Sequence, residues 1–517
     1  MNLHPPTDLR RSKSFFLICL LLTVSGFAQE PENKEQKELA IPEPKTFITE
    51  HQILNGGRKV VYKATASETY LRDDSGQPVA SIWSVSYTAS GEGDPIGRPV
   101  TFVFNGGPGS ASVWLHMGLL GPELVVVDSE AKKDDGAAPY PLVPNTNGLL
   151  DLTDLVFVDP VGTGFSKVLG KGKVTDFWGL NEDASSIAKF IRMWISENNR
   201  WMSPKFIAGE SFGTTRAVAV ANALESAGQN MALNGLILIS QALDYGGSTS
   251  THDNITSYIT YLPSMAATAW YHKKAGQGRT LEEFVAECRE FTYSRYIPAL
   301  YKGALLDKAE KAAIAAEMAG FIGLEKDYIL RSDLRVLVHR FQKELLKDRG
   351  VALGRLDGRF MGPEIDLFSE GPHLGDPASY QIGGAFTAAI NHYLSTKLQV
   401  RMDRPYLTSN SEIGSKWKWR PVPEGQYWEP SMVNVARKLG ATMRRNPEMK
   451  VMVANGYYDL ICPFFDAEYT FARNGIETQK IQMMYYEAGH MMYTHQPDLQ
   501  KLAGDMRKFL KEITEVE

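Results

Sequence analysis

Apolar residues recur along this chain with two different spacings. In "GRKVVYKATASETYLRD" (57–73) and "PVASIWSVSYTAS" (78–90) they alternate with polar ones around a "DDSGQ" turn, which predicts a hairpin-like pair of strands. Shorter, nearly continuous apolar runs follow at Val100 to Phe104, Leu155 to Val158, Lys205 to Ala208, 233–244, 450–454 and 480–490. Several of these end in Gly- or Pro-containing loops, the pattern of a largely parallel central sheet with both faces covered. The second spacing is helical. Ile187, Phe190, Ile191 and Trp194 share one face of 181–199, and helices are also expected over 214–228, 434–445 and 499–513.

Between about 246 and 430 strand patterning largely disappears and long helical stretches replace it, as in 257–274 and 280–319. The expected organisation is therefore a sheet-and-helix core in two parts, 51–245 and 431–517, interrupted by a helical cap insertion over 246–430. Functional residues of such a core project from the carboxyl ends of its strands.

The amino terminus has another character. Arg10, Arg11 and Lys13 precede an apolar run from Phe15 to about Val24, and Gly26 and Ala28 occupy the −3 and −1 positions of a cut after Ala28. Residues 1–28 read as a secretory signal peptide, too short for a strong membrane anchor, so no stable membrane association is expected. The competing reading is an uncleaved single-span anchor. A charged, Pro-containing stretch follows, and 29–50 reads as a flexible leader. Without residues 1–28 the chain keeps 52 basic and 59 acidic residues, a formal charge of −7 that gives no reason to expect nucleic acid. Only Cys288 and Cys462 remain, which permits one disulfide and excludes a disulfide-rich scaffold.

Chemistry concentrates in "FIAGESFGTTR" (206–216), where Gly209 and Gly213 flank Ser211 in a G-x-S-x-G pattern between a strand and a helix. That context makes Ser211 a candidate nucleophile. Asp459 lies just beyond the 450–454 strand and His490 just beyond the last one, so Ser, Asp and His each leave the carboxyl end of a predicted strand, in the chain order of an α/β-hydrolase. His490 would take the Ser211 proton and Asp459 would orient the imidazole. The other histidines lack such a setting. An oxyanion hole needs preplaced N–H donors, which the glycine-rich "NGGPG" loop (105–109) and the Phe212 amide, next after the nucleophile, could supply. No metal motif is present, and the five acids scattered over 356–376 read as a solvated cap loop in preference to a calcium site. The chemistry needs no cofactor.

Together, "NGGPG", "PVGTGFS" (160–166), the "GES" around Ser211 and "AGHM" (488–491) resemble the serine carboxypeptidase family, in a form suited to a bacterial periplasm or the medium. The resemblance implies an exopeptidase that takes peptides with a free C-terminus, with the triad Ser211, Asp459 and His490 and oxyanion amides from Gly107 and Phe212. It further implies that Asn105 and Glu210 bind the terminal carboxylate, with Glu210 protonated, and that Met491 lines the site. Monomer and homodimer both stay open. Three departures matter. Ser110 stands where the family often has a cysteine, and Leu119 where it often has a second glutamate, which Glu123 or a cap residue would have to replace. "FGTTR" also introduces Arg216, which either pairs with a core acid or faces the site. Trp114, His116 and Trp428 are open between pocket wall and packing, and Cys462 between apolar filler and a site cysteine. The alternative activity is an esterase or acyltransferase using the same triad.

Overall fold

A strand buried on both faces must present apolar side chains to two cores at once, and this requirement organises the molecule. The computed structural model describes residues 41–91, 96–132, 136–226, 228, 230–420 and 432–515. The chain divides into 1–42 and 43–517, and every element below belongs to the second part. Three antiparallel strands open it, β1 (Thr46–Asn55), β2 (Arg58–Arg72) and β3 (Pro78–Ser90). Strands β4 (Val100–Phe104), β5 (Asp154–Asp159), β6 (Lys205–Glu210) and β7 (Gly235–Ile239) follow. The cap carries the small hairpin β8 (Val351–Leu353) and β9 (Met361–Pro363), and the sheet ends with β10 (Lys450–Gly456) and β11 (Ile481–Tyr486). Among the described residues the main sheet has ten strands, in the path β1-β2-β3-β5-β4-β6-β7-β10-β11, with the short Lys167–Val168 strand pairing β3. From β5 to β11 every neighbouring pair is parallel.

Alternate residues of the central strands divide between two cores. Val103, Phe157, Ile237 and Met452 join one cluster, whereas Phe102, Val156, Leu236 and Val451 join the other. The second cluster is closed by α1 (Leu180–Glu197), α2 (Phe212–Glu225) and α5 (Ala436–Arg445), the first by α6 (Gln496–Thr514). The continuous apolar runs are thus strands covered on both sides, an α/β architecture with helical insertions consistent with an α/β-hydrolase-like fold. Within the insertion, α3 (Ile255–Tyr271) packs its buried face into a third cluster, and α4 (Pro377–Thr396) packs against the first.

Two details depart from the pattern read along the chain. The first strand begins at Thr46, inside the stretch expected to be a leader; as an edge strand it leaves most of its side chains accessible, so its alternation is weak. The acids of 356–376 are not a solvated loop as a whole. Asp357 is buried against Arg359, and Asp376 accepts the backbone N–H groups of Arg355, Leu356 and Ala378. The segment read as a signal peptide, its cleavage position at Ala28, and Trp428 lie outside the described residues. Among those described, no helix is long and apolar enough to cross a membrane.

Candidate active site

Ser211 is the single residue between β6 and α2, and its backbone sits at φ +60° and ψ −129°, a sharp turn that L residues rarely adopt. The flanking glycines explain how the turn fits. A Cβ at Gly209 would lie 2.2 Å from the Gly213 carbonyl oxygen, and one at Gly213 would lie 2.7 Å from the Phe104 carbonyl oxygen. Strand and helix therefore approach at a distance only glycine allows. The same holds for the "NGGPG" loop, where a Cβ at Gly106 would sit 2.5 Å from the Phe212 nitrogen. Phe212 opens α2, so its N–H is one of the helix's first-turn donors with no carbonyl one turn earlier to receive it.

His490 Nδ1 lies 2.8 Å from Asp459 Oδ2, and both side chains are buried. Asp459 Oδ1 accepts the N–H groups of Ile461 and Cys462, which fixes the carboxylate while Oδ2 faces the ring. Burial alone would lower the imidazole pKa, but the Asp459 charge and hydrogen bond outweigh it and hold His490 well above its ordinary value. A finger of the cap, residues 354–360 between β8 and β9, clamps this pair. Leu356 O accepts His490 N–H at 2.6 Å, Arg355 O accepts Leu460 N–H, and Asp357 Oδ2 accepts Gly489 N–H. A Cβ at Gly489 would come within 2.4 Å of the Asp357 Cα and of the Leu356 oxygen. Gly489→Ala is therefore expected to push the finger off His490, lowering stability by about 1–3 kcal/mol. Thermal unfolding checks the first effect and turnover the accompanying fall in rate; an unchanged melting temperature would refute the clamp.

These elements enclose a cavity of about 410 Å³ lined by Asn105, Gly107, Glu210, Ser211, His490 and Met491, with Trp114 on its wall. Three surface clefts are larger, at about 680 to 860 Å³, but none contains Ser211 or His490. Of the residues singled out along the chain, Asp459 stands behind His490 and Phe212 is buried next to Ser211 without lining the cavity. His116 is elsewhere, stacked on Phe157 and bonded to the Tyr87 hydroxyl. Arg216 takes the core alternative. It is fully buried, pairs with Asp183 at 2.6 Å, donates to the Asn105 carbonyl and lies between the Phe104 and Phe212 rings.

Glu210 is buried at the cavity wall, and desolvation pushes its carboxyl up to about 7 against the opposing pull of His490 and Tyr493. Tyr493 donates to Glu210 Oε2 at 2.6 Å. Its ring fits because residue 118 is glycine, where a Cβ would meet it at 2.5 Å. Glu123 does not replace the acid absent at Leu119, since it pairs with Lys397 and does not line the cavity. Tyr493 was not legible along the chain, although its place three residues after His490 was the available signal. Asn105 Oδ1 accepts the Leu115 N–H, which fixes the amide orientation, and its buried Nδ2 has no hydrogen-bond partner.

Cys288 and Cys462 are both free and buried, so the one disulfide the count permitted is not formed. Burial pushes the Cys462 thiol up to about 11 despite the neighbouring His490. Asp459, Cys462 and His490 place donor atoms within 4.8 Å of one another, close enough to hold a metal ion. Both Asp459 oxygens and the imidazole Nδ1 are already engaged, however, and the thiol is protonated at neutral pH.

A strained serine between a parallel strand and a helix, sharing a cavity with a carboxylate-bound histidine, is the arrangement a serine hydrolase on an α/β-hydrolase-like fold requires. The model of the serine carboxypeptidase family matches residues 83–303. The prohormone-processing carboxypeptidase of Saccharomyces cerevisiae shares the fold at 16% identity, covering 88% of this chain and 91% of its own, with a TM-score of 0.53. A proline iminopeptidase of Mycobacterium smegmatis aligns at 12% identity over 87% of this chain and 99% of its own, with a TM-score of 0.37. No curated protein matches the chain.

Proposed function

We propose that the protein is an exported serine-type carboxypeptidase that removes the C-terminal residue of peptides. The observation that carries this reading is a pair of donors that face each other beside Ser211: a buried Glu210 whose proton is retained up to about pH 7, and the Asn105 amide, whose Nδ2 is near enough to Glu210 to lower its pKa but makes no well-formed hydrogen bond. With Oε2 already accepting from Tyr493, a protonated Glu210 carries its proton on Oε1 and donates it to an incoming carboxylate. Two donors of this kind suit a free terminal carboxylate, whereas an ester or amide terminus would leave them unsatisfied at a cost.

Ser211 Oγ attacks the last peptide carbonyl while His490 Nε2 accepts its proton. Asp459 holds Nδ1–H and favours the imidazolium that results. The amides of Gly107 and Phe212 receive the charge that develops on the carbonyl oxygen. The imidazolium then protonates the departing amino group, the C–N bond breaks, and an acyl-enzyme remains on Ser211. Water, deprotonated by the same imidazole, hydrolyses the ester and releases the shortened peptide.

The test compares a blocked dipeptide bearing a free C-terminal carboxylate with its C-terminal amide, from about pH 4 to 8. The acid is expected to be preferred on the order of 10- to 100-fold in kcat/KM, the worth of one or two charge-assisted hydrogen bonds. Glu210 donates below about pH 7 and repels a carboxylate once ionised, so KM for the acid rises as pH rises through that value. The acid-to-amide ratio cancels His490, which serves both substrates alike. Glu210→Gln is expected to flatten the pH dependence of that ratio. Equal rates on acid and amide beside rapid ester hydrolysis would instead make the enzyme an esterase or acyltransferase.

A further inference from the structure

Arg355 is the one lysine or arginine among the residues that line the Ser211 cavity. It is exposed, and among the described residues it makes no ion pair. Its position is nevertheless built with care. The Arg355 N–H is held by Asp376 Oδ1 at 2.9 Å, and its carbonyl oxygen takes the N–H of Leu460, the residue after Asp459. The next residue, Leu356, is bonded through its own oxygen to His490 N–H. Farther along the finger, Gly358 N–H is held by Tyr458 O, and Asp357 is locked by Arg359. Asp376, the acid nearest along these bonds, spends both oxygens on backbone N–H groups of 355, 356 and 378. The neighbouring Tyr261 hydroxyl shares its proton between the carbonyls of Ser248 and Ile461, and its oxygen accepts from Arg355, a neutral partner that leaves the positive charge uncompensated.

The nearest carboxylate, Asp376, feels the Arg355 charge but makes no ion pair with it and is spent on backbone N–H groups, so the guanidinium at the cavity lining is incompletely compensated and an anion that enters gains the interaction. The one acid among the described lining residues, Glu210, stays neutral below about pH 7 and supplies no counter-charge there. Arg355 also comes from a different element from the donors assigned to the terminal carboxylate. Asn105 and Glu210 lie at the ends of β4 and β6, whereas Arg355 lies on the cap finger beside Ile461.

We infer that Arg355 is a specificity-determining residue that binds the side-chain carboxylate of an aspartate or glutamate next to the scissile bond, so that the enzyme favours acidic peptides. This rests on the reading that substrates are cleaved at Ser211, and not on the leaving group being an amino acid.

The experiment measures kcat/KM at low ionic strength for blocked dipeptides with Glu or Gln on either side of the scissile bond. Matched esters of blocked Glu and Gln are run beside them, with wild type, Arg355→Met and Arg355→Lys. The Glu-to-Gln ratio is expected to be on the order of 10 or more at one position in the wild type. It should collapse to about one in Arg355→Met and be partly kept in Arg355→Lys. A wild-type ratio near one at both positions, or a ratio unmoved by Arg355→Met, would overturn the assignment. So would loss of the acid-over-amide preference in Arg355→Met with the Glu-to-Gln ratio intact, because Arg355 would then be reading the terminal carboxylate. Should the peptides resist cleavage, the carboxypeptidase reading fails while the ester pairs still report the same ratio.

Discussion

Ser211→Ala is expected to lower kcat/KM on any ester or peptide substrate by on the order of 10⁴- to 10⁶-fold and to abolish labelling by an organophosphonate. The loss is large because the serine, the imidazole and its carboxylate act as one unit, and a base without a nucleophile has nothing to activate. Removing His490 as well should therefore cost little more, and the double variant Ser211→Ala/His490→Ala should resemble either single one. Stability should hardly change, since alanine must adopt the same φ of +60° and the elbow strain of about 1–3 kcal/mol stays in place. A variant that keeps more than about a tenth of the rate would remove Ser211 from the chemistry altogether. Additive losses in the double variant would remove the coupling with His490.

Arg216→Met should destabilise the protein by about 3–5 kcal/mol, the cost of leaving one partner of a buried ion pair uncompensated. Asp183 would keep a buried carboxylate with its cation gone, and the Asn105 carbonyl would lose its donor. Because that carbonyl belongs to the residue whose side chain faces the cavity, activity should fall in whatever fraction still folds. The variant Asp183→Asn/Arg216→Met tests the cause. It removes both charges and is expected to recover part of the melting temperature lost by the single variant. Measured by thermal and denaturant unfolding, a single-variant loss below about 1 kcal/mol would mean that the buried pair contributes no more than a surface one.

The contrast between Ser211 and Arg216 shows what a chain of residues discloses. Five residues apart in one motif, they differ in how local their roles are. Part of the G-x-S-x-G spacing states its own geometry, because Gly209 is demanded by a contact with the Gly213 carbonyl four residues on. Nothing within several residues of Arg216 announces whether it enters the cavity or the core; Asp183 is 33 residues away. The Tyr493 partner of Glu210 is 283 residues distant and the Asp357 partner of Gly489 132 residues distant, so neither follows from spacing. The leader boundary was obscured for a different reason, since an edge strand with accessible side chains carries little alternation to read.

By itself the sequence determined the alternation of strands and helices, the largely parallel sheet, and the chain order in which Ser211, Asp459 and His490 follow the ends of their strands. Those features are written in short-range periodicity and in Gly209, whose necessity is local. Only the tertiary structure decided that Arg216 is a core cation, that Tyr493 stands beside Glu210, and that the 354–360 finger places Arg355 on the cavity lining. Each of those depends on which distant segments the sheet and its cap bring within a few ångströms, where burial and charge set the chemistry.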